Sequence, residues 1–139
     1  LKWLFFASNT LHADLRQLFY PEKYTGPDAA MQAALRAGIT QRLATHLRIL
    51  DATAGSGWFA GPELSVLDLY LACLMRWMAL YPLDYDRSWY DLKHYRTLKA
   101  NLAKLESRPS VHKAQTAEGL GPTPFTIPTH ATPPEGSAT

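Results

Sequence analysis

The stretch of sequence that decides the fold reads Gly61-Pro62-Glu63-Leu64-Ser65-Val66-Leu67-Asp68-Leu69-Tyr70-Leu71-Ala72-Cys73-Leu74-Met75. Ser65 is typical of a helix N-cap, because its hydroxyl can accept a hydrogen bond from the N–H of Asp68 while the Asp68 carboxylate reaches back to the Ser65 N–H. Leu64 and Leu69 occupy the two positions of a hydrophobic staple across the first turn. The pattern therefore predicts a capping box and a helix that begins at Val66.

This helix is expected to be a buried central helix. The apolar run from Val66 to Leu83 is interrupted by Asp68, Arg76 and Pro82, and a bilayer requires about 20 predominantly apolar residues in sequence. A membrane-spanning helix is the alternative. The interruptions favour a helix that packs inside a bundle and ends before Pro82.

Apolar residues recur at three- and four-residue spacing in five stretches of the chain. They predict five helices, at residues 1–19, 29–53, 66–81, 91–106 and 111–118. No stretch alternates in the manner of a β-strand. We therefore expect an all-α bundle of about five helices.

Residues at the ends of these stretches are typical of helix caps and breaks. Asp28 and Ser110 are predicted N-caps of the second and fifth helices, and Gly119 is predicted to adopt a left-handed conformation after the fifth. Gly38 is the weak point of the second helix, and close approach of a neighbouring helix is the expected compensation.

Residues 121–139 are rich in Pro, Thr, Ser and Gly and have few apolar side chains. Burial of so few apolar groups would not repay the entropy of ordering the segment. The predicted organisation is one helical domain over residues 1–120, followed by a disordered tail over residues 121–139.

The composition argues against several classes of function. With 47% hydrophobic and 19% charged residues and a formal net charge of +2, the chain can form one globular core but lacks the basic patch expected of a protein that binds nucleic acid or an anionic membrane. The single cysteine, Cys73, cannot form an intramolecular disulfide, and we interpret it as buried and inert. A cytoplasmic location is expected. The chain begins inside a helical pattern without a signal peptide, so we expect it to be part of a longer protein.

Phe5, Asn9, His12 and Arg16 are separated by four, three and four residues, which places them on one face of a regular helix. A histidine on such a mixed polar and aromatic face can donate, accept or carry a proton near neutral pH. A packing histidine is the alternative. We find no Cys/His metal spacing, phosphate-binding glycine loop or Ser/His/Asp arrangement, so no metal and no catalytic residue is predicted within the chain.

Four groups of residues occur in an order that resembles a known family. They are Asn9-Thr10-Leu11-His12 with Leu18-Phe19-Tyr20-Pro21, then Trp58-Phe59-Ala60-Gly61 before the capping box, Arg76-Trp77, and Glu106-Ser107-Arg108-Pro109-Ser110-Val111. Together they resemble the C-terminal helical domain of glutathione S-transferases, most closely the bacterial beta-class enzymes. The resemblance covers residues 1–120.

The resemblance implies a set of binding residues. In the family, a histidine at the place of His12 points into the cleft between domains and helps bind glutathione or its electrophilic partner. Phe5, Ser8, Asn9 and Trp77 would line the electrophile pocket. The resemblance gives Ser65 and Asp68 a structural role as the helix cap.

The resemblance also implies the function of the whole protein. Such an enzyme conjugates the glutathione thiolate to hydrophobic electrophiles in detoxification, with glutathione as co-substrate and with homodimerisation through its first two helices. The thiol-activating Tyr, Ser or Cys belongs to an upstream thioredoxin-like domain that is absent from this sequence, so the isolated chain is expected to be inactive.

Three positions depart from the beta-class pattern. Phe5, Thr10 and Ala13 stand where those enzymes carry asparagine, glutamate and lysine, which favours a related subgroup with a more apolar site. A noncatalytic helical interaction module is the alternative function, since transferase-like C-terminal domains also occur in translation factors and tRNA-synthetase assemblies.

Overall fold

The computed structural model describes residues 1–57 and 59–132, so Trp58 and residues 133–139 lie outside the described part of the chain. Regular structure in the described part is entirely helical. The helices are α1 (Lys2–Phe6), α2 (His12–Phe19), α3 (Glu22–Thr25), α4 (Ala29–Thr53), α5 (Val66–Leu80), α6 (Arg96–Glu106) and α7 (Pro109–Glu118), with a π-helical turn at Ala7–Leu11 and a 3-10 turn at Leu92–His94. The expected all-α bundle is confirmed, and the one-turn α3 is the helix that the sequence patterns missed.

The N-terminal helix consists of α1, the π turn and α2 in one continuous run. Its junction residues Ala7 (φ −62°, ψ −46°) and His12 (φ −68°, ψ −36°) keep right-handed helical dihedrals. A π turn contains more residues than an α turn, so it rotates the side chains before it around the helix axis relative to those after it. Phe5 and His12 therefore do not keep the relation that regular α-helical spacing predicts.

The core lies where α2, α4, α5 and α6 meet. Its fully buried members come from the predicted apolar stripes and include Leu11, Leu15, Leu18, Leu43, Leu47, Leu50, Leu71, Leu74, Met78, Leu98, Leu102 and Leu105. Burial of each leucine side chain contributes about 1.5 to 3 kcal/mol. Within the described residues, no helix combines the length and the apolar character needed to cross a membrane.

The predicted capping box at the start of α5 is confirmed. The Asp68 N–H donates to Ser65 Oγ (3.3 Å), and the Ser65 N–H donates to Asp68 Oδ2 (2.8 Å). Leu64 and Leu69 are both about two-fifths exposed, and their staple contact stays a prediction.

The Asp68 carboxylate makes further hydrogen bonds that the capping pattern does not contain. The Ser65 hydroxyl donates to Oδ2 (2.7 Å), while the Ala60 N–H (2.6 Å) and the Asn101 amide (2.9 Å) donate to Oδ1. Only 2% of Asp68 is exposed. This carboxylate thus ties the loop before α5 and helix α6 to the start of α5.

Helix α6 begins later than the sequence predicts. Asp91 caps only a 3-10 turn through the Lys93 N–H (2.9 Å), and α6 starts at Arg96. The carboxylate of Asp51, near the end of α4, accepts hydrogen bonds from the N–H groups of Thr97 (2.8 Å) and Leu98 (2.9 Å). Because this cap comes from another helix, the spacing within α6 does not reveal it.

Helix α7 begins earlier than the sequence predicts, so the expected Ser110 N-cap is wrong. Pro109 is already helical and Arg108 takes the N-cap position, with no side-chain cap. Proline suits the first helical position because its ring presets φ and it lacks the N–H that would go unpaired there. The predicted left-handed Gly119 is confirmed, with φ 60°.

Residues 121–132, which we call the C-terminal strap, differ from the predicted disordered tail. Arg76 is 5% exposed and donates to the carbonyl oxygens of Pro124 (3.1 Å) and Thr129 (2.9 Å). Phe125 and Ala131 are buried. Charged side chains of the bundle form hydrogen bonds with the backbone of the strap and so help to order it. The prediction of disorder counted apolar residues, and such a count does not include these hydrogen bonds. The rest of the predicted tail, residues 133–139, lies outside the described residues.

Glu106, at the end of α6, supplies the second anchor of the strap. Its Oε1 accepts hydrogen bonds from the N–H groups of Phe125 (2.8 Å) and Thr126 (2.7 Å), and its Oε2 accepts one from Thr126 Oγ1 (2.8 Å). Two charged side chains thus hold the strap. Arg76 donates to backbone carbonyl groups of the strap, and Glu106 accepts from its backbone N–H groups.

We expect Gly119→Ala to destabilise the chain by roughly 2 kcal/mol, because an alanine there would be strained at positive φ and also crowded. A Cβ atom built on Gly119 would lie 2.0 Å from the carbonyl oxygen of Thr132. Urea denaturation measures the effect. Gly38→Ala is the matched control. Apart from the adjacent residues and the backbone of α4 itself, no described atom lies within 4 Å of a Cβ at Gly38, so the expected close helix approach is wrong there. We expect that change to stabilise α4 by about 1 kcal/mol. Equal effects of the two changes would contradict this account.

Candidate functional site

His12 and Tyr70 form the polar centre of the candidate site. His12 is the first residue of α2 and is half-buried, and its Nδ1 lies 2.7 Å from the Tyr70 hydroxyl oxygen. The two ring centroids are 5.9 Å apart, with the rings at 70° to each other. A short hydrogen bond and an edge-on ring contact together fix the orientation of the imidazole.

Trp77 completes this group, which we call the His12 cluster (His12, Tyr70 and Trp77). The centroids of the His12 and Trp77 rings are 5.7 Å apart at an angle of 58°. Tyr70 and Trp77 are seven residues apart on α5, so they share one face of that helix. The histidine and the tryptophan that the sequence singled out therefore meet in space.

Partial burial and a nearby positive charge favour the neutral form of His12. Partial burial, and secondly the positive charge of Arg16, lower the pKa of His12, while burial raises the pKa of Tyr70. A protonated phenol can donate to Nδ1 of a neutral imidazole, which leaves the ring proton on Nε2. In that arrangement His12 can donate a hydrogen bond from Nε2 to a bound molecule.

Phe5, Ser8 and Asn9 lie one to two turns before His12 and interact with one another. Ser8 Oγ lies 3.0 Å from Asn9 Oδ1 and 3.4 Å from the Phe5 carbonyl oxygen, and Phe5 is 57% exposed. None of the hydrogen bonds or ring contacts in the described chain joins these three residues to the His12 cluster. Their role in binding stays a prediction. Ser8 and Asn9 lie within the π turn, and this turn separates Phe5 from His12 along the helix.

Tyr70 is the site residue that sequence reasoning missed. The sequence nevertheless contained an indication of its role, because Tyr70 lies one turn into the capped helix and two turns before Trp77. Only the pairing of α5 with the N-terminal helix, across 58 residues of sequence, shows that its hydroxyl reaches His12.

Arg16 and Arg36, two arginines that lie near α2, differ in their partners. Arg36 pairs with Asp84 (3.1 Å) and donates to the Leu18 carbonyl oxygen (3.0 Å). Arg16 makes no ion pair with any side chain that the structure describes, and it follows His12 by one turn. Within residues 1–57 and 59–132, Arg16 is thus a cation beside His12 that has no ion-pair partner.

Cys73 is exposed, so its predicted burial is wrong. It lies on the same face of α5 as Tyr70 and Trp77, and this face is open to solvent at Cys73. Partial desolvation of the sulfur raises the pKa of the thiol, and the charge of Arg76 opposes that effect. A raised pKa keeps the thiol protonated at neutral pH, which makes it a slow nucleophile in spite of its exposure.

A second polar cluster lies on the other side of α2, against α4. Asp14, 7% exposed, accepts hydrogen bonds from Arg42 (2.9 and 3.1 Å) and lies 3.1 Å from His46 Nε2. Its members point away from the His12 cluster, so we assign them to helix packing. Among the residues described, no three His, Cys, Asp or Glu side chains lie close enough together to hold a metal ion.

The comparison with protein families gives one match. Residues 11–116 match the model described as "Glutathione S-transferase, C-terminal domain", a span that contains His12, Tyr70, Trp77 and the Ser65–Asp68 capping box and covers about three quarters of the chain. No curated protein and no solved structure matches the chain. The helical architecture agrees with the family match. The chain therefore belongs to the glutathione S-transferase C-terminal domain family.

Proposed function

We propose that this chain forms the electrophile-binding half of a glutathione transferase that conjugates the glutathione thiolate to hydrophobic electrophiles. The observation that carries the proposal is the His12 cluster, which joins an oriented neutral imidazole to two aromatic rings at the surface of the family domain. An apolar wall with one directed polar group is typical of small-molecule sites.

In the proposed reaction, the thiolate sulfur forms a bond with an electrophilic carbon. Either a leaving group departs with its bonding electrons, or an adjacent atom accepts them and then a proton. The rings of Tyr70 and Trp77 would bind the apolar body of the electrophile. The Nε2–H of His12 would donate a hydrogen bond to the atom that gains negative charge, an interaction that strengthens as the charge develops.

The thiolate itself requires an upstream thioredoxin-like domain in this proposal. An exposed apolar surface at the start of α1 and α5 supports docking of such a domain. Its members are Leu1 (84% exposed) and Val66 (69%), which line one surface pocket between the starts of these helices. Apolar patches of this kind are typical of interfaces. The isolated chain would then lack the thiol-activating residue and be inactive.

We also propose a homodimer that forms through the N-terminal helix and α4. The family resemblance suggests this pairing. Met31 and Ile49 on α4 are 55% and 41% exposed and leave apolar area available on that helix.

The test of the catalytic proposal is His12→Ala in the full-length protein. We expect kcat/KM for conjugation of chloro-dinitrobenzene to fall roughly 10- to 100-fold, since a hydrogen bond to a developing charge contributes about 1.5 to 3 kcal/mol. Tyr70→Phe removes only the hydroxyl that orients His12, so it should give a smaller loss.

The matched control is His112→Ala, because His112 is an exposed histidine on α7, remote in sequence from the cluster. That variant should keep wild-type activity. Equal kcat/KM for His12→Ala and wild type, across several electrophiles, would contradict the role of His12. A full-length protein that neither binds glutathione nor conjugates it would instead support the interaction-module alternative.

A further inference from the structure

Arg16 lies beside the candidate site, and its side chain is exposed. It follows His12 by four residues on α2, a spacing that places the two side chains on one face of the helix, about 6 Å apart along the axis. The positive charge of Arg16 acts on His12, since it is one of the two causes that lower the pKa of that imidazole. Arg16 therefore adds a full charge to the polar part of the site.

Asp14, the acidic residue nearest to Arg16 in sequence, is used elsewhere. It faces α4, where Arg42 donates two hydrogen bonds to its carboxylate and His46 Nε2 lies 3.1 Å away. Arg16 itself makes no ion pair with a described side chain. Among the described residues, no acidic side chain contributes to the pKa shift of His12. The polar part of the site is therefore positively charged.

His12 contributes a directed hydrogen-bond donor next to this charge. Its Nδ1 lies 2.7 Å from the Tyr70 hydroxyl oxygen, and in the neutral tautomer that accepts from this hydroxyl the ring proton is on Nε2. A carboxylate accepts hydrogen bonds at both of its oxygens, and a guanidinium group matches its planar geometry. Arg16 and His12 together therefore provide a planar cation and a neutral N–H donor, which suit a bound carboxylate.

Aromatic rings adjoin these two donors. The centroid of the His12 ring lies 5.7 Å from that of Trp77 and 5.9 Å from that of Tyr70. A molecule with a flat apolar body and one anionic group would match both the rings and the donors. We propose that Arg16 is a specificity residue that selects electrophiles bearing a carboxylate, whose negative charge it binds while the rings contact the apolar body. This inference rests on the proposed transferase function and adds a substrate class to it.

Two electrophiles that differ in one group test it, namely para-chloro-dinitrobenzoate and the neutral amide of the same acid. Both lose chloride to the glutathione thiolate, and the ratio of their kcat/KM values in the full-length protein measures the preference for the carboxylate. Arg16→Met removes the charge, so this ratio should fall roughly three- to fivefold, as expected for one solvent-exposed ion pair. Arg16→Lys should keep part of the preference, because lysine keeps the charge without the guanidinium plane. The intrinsic reactivities of the two electrophiles cancel when the ratio is compared between variants.

A matched control and two further measurements separate charge from other effects. Arg96→Met removes an exposed arginine from the start of α6 and should keep the wild-type ratio. Added sodium chloride should lower the ratio in wild type but not in Arg16→Met, because salt screens charges at an exposed site. Independently of activity, an NMR titration of the full-length protein should show a higher pKa for His12 in Arg16→Met than in wild type, because one of the causes that lower it is removed.

The possible results separate this inference from the proposed function. If both electrophiles are conjugated and Arg16→Met keeps the wild-type ratio, the role of Arg16 is overturned and the transferase proposal stands. A higher KM for glutathione with an unchanged ratio would show that Arg16 binds glutathione instead, which also overturns the inference. An unchanged pKa of His12 in Arg16→Met would contradict the placement of the charge beside the imidazole. If the wild-type protein conjugates neither electrophile, both the proposed function and the inference that rests on it are wrong.

Discussion

Asp68→Ala is expected to lower the free energy of unfolding by roughly 4 kcal/mol, one of the two largest effects that we predict for a single substitution in this chain. The carboxylate accepts hydrogen bonds from the Ala60 and Ser65 N–H groups, the Ser65 hydroxyl and the Asn101 amide. Alanine would leave these donors without their acceptor at a site that is 2% exposed. Urea denaturation at pH 7 measures the loss.

Ser65→Ala separates the local cap from this wider network. It removes one partner of Asp68 and the acceptor of the Asp68 N–H, so it should cost about 1 kcal/mol, as loss of an ordinary N-cap does. If Asp68→Ala costs no more than Ser65→Ala, the bonds to Ala60 and Asn101 contribute nothing to stability.

The same carboxylate predicts a pH dependence. Burial alone would raise the pKa of Asp68, but the hydrogen bonds from Ala60, Ser65 and Asn101 together bring it below the ordinary value of 3.8. A carboxylate whose pKa is lower in the folded chain stabilises the fold above its unfolded pKa, and this contribution is lost as the pH falls through the folded pKa. The stability difference between wild type and Asp68→Asn should therefore be constant near neutral pH and shrink below about pH 4. A difference that grows on acidification would contradict this sign.

Arg76→Met is expected to lower the free energy of unfolding by roughly 3 kcal/mol, and to release the C-terminal strap, because hydrogen bonds from a charged group contribute about 1.5 to 3 kcal/mol each. Methionine fills a similar volume but cannot donate to the carbonyl oxygens of Pro124 and Thr129. Urea denaturation measures the stability. Limited proteolysis with mass spectrometry should show faster cleavage within residues 121–132.

Arg96→Met is the matched control for Arg76→Met. Arg96 is an exposed arginine at the start of α6, and its replacement should change stability by less than about 0.5 kcal/mol. A strap that resists proteolysis equally in both variants would show that Arg76 does not hold it.

The helices whose ends are defined by neighbouring residues were predictable. The bounds of α4 agree with the predicted residues 29–53, because Asp28 supplies the N-cap within its own turn, through the N–H groups of Ala30 and Met31. The start of α5 agrees for the same reason. The starts of α6 and α7 were less predictable, because the cap of α6 comes from Asp51 on another helix and Pro109 takes the first position of α7.

The candidate site was predictable in part. His12 and Trp77 were singled out by their motifs, and they are in contact. The position of Phe5 relative to His12 was not predictable. A π turn changes the helical period, and no residue type in Ala7–Leu11 indicates that such a turn forms there.

The sequence by itself determined the class of the fold, the helix that begins at Val66 after the Ser65 cap, and the apolar stripes of the core. Each depends on side chains three or four residues apart, and spacing along the chain encodes such contacts. Only the tertiary structure decided that Tyr70 orients His12, that Asp51 caps α6 and that Arg76 orders the strap. Those hydrogen bonds join residues 46 to 58 positions apart, and they form only because packing of the helices brings a donor and an acceptor within reach.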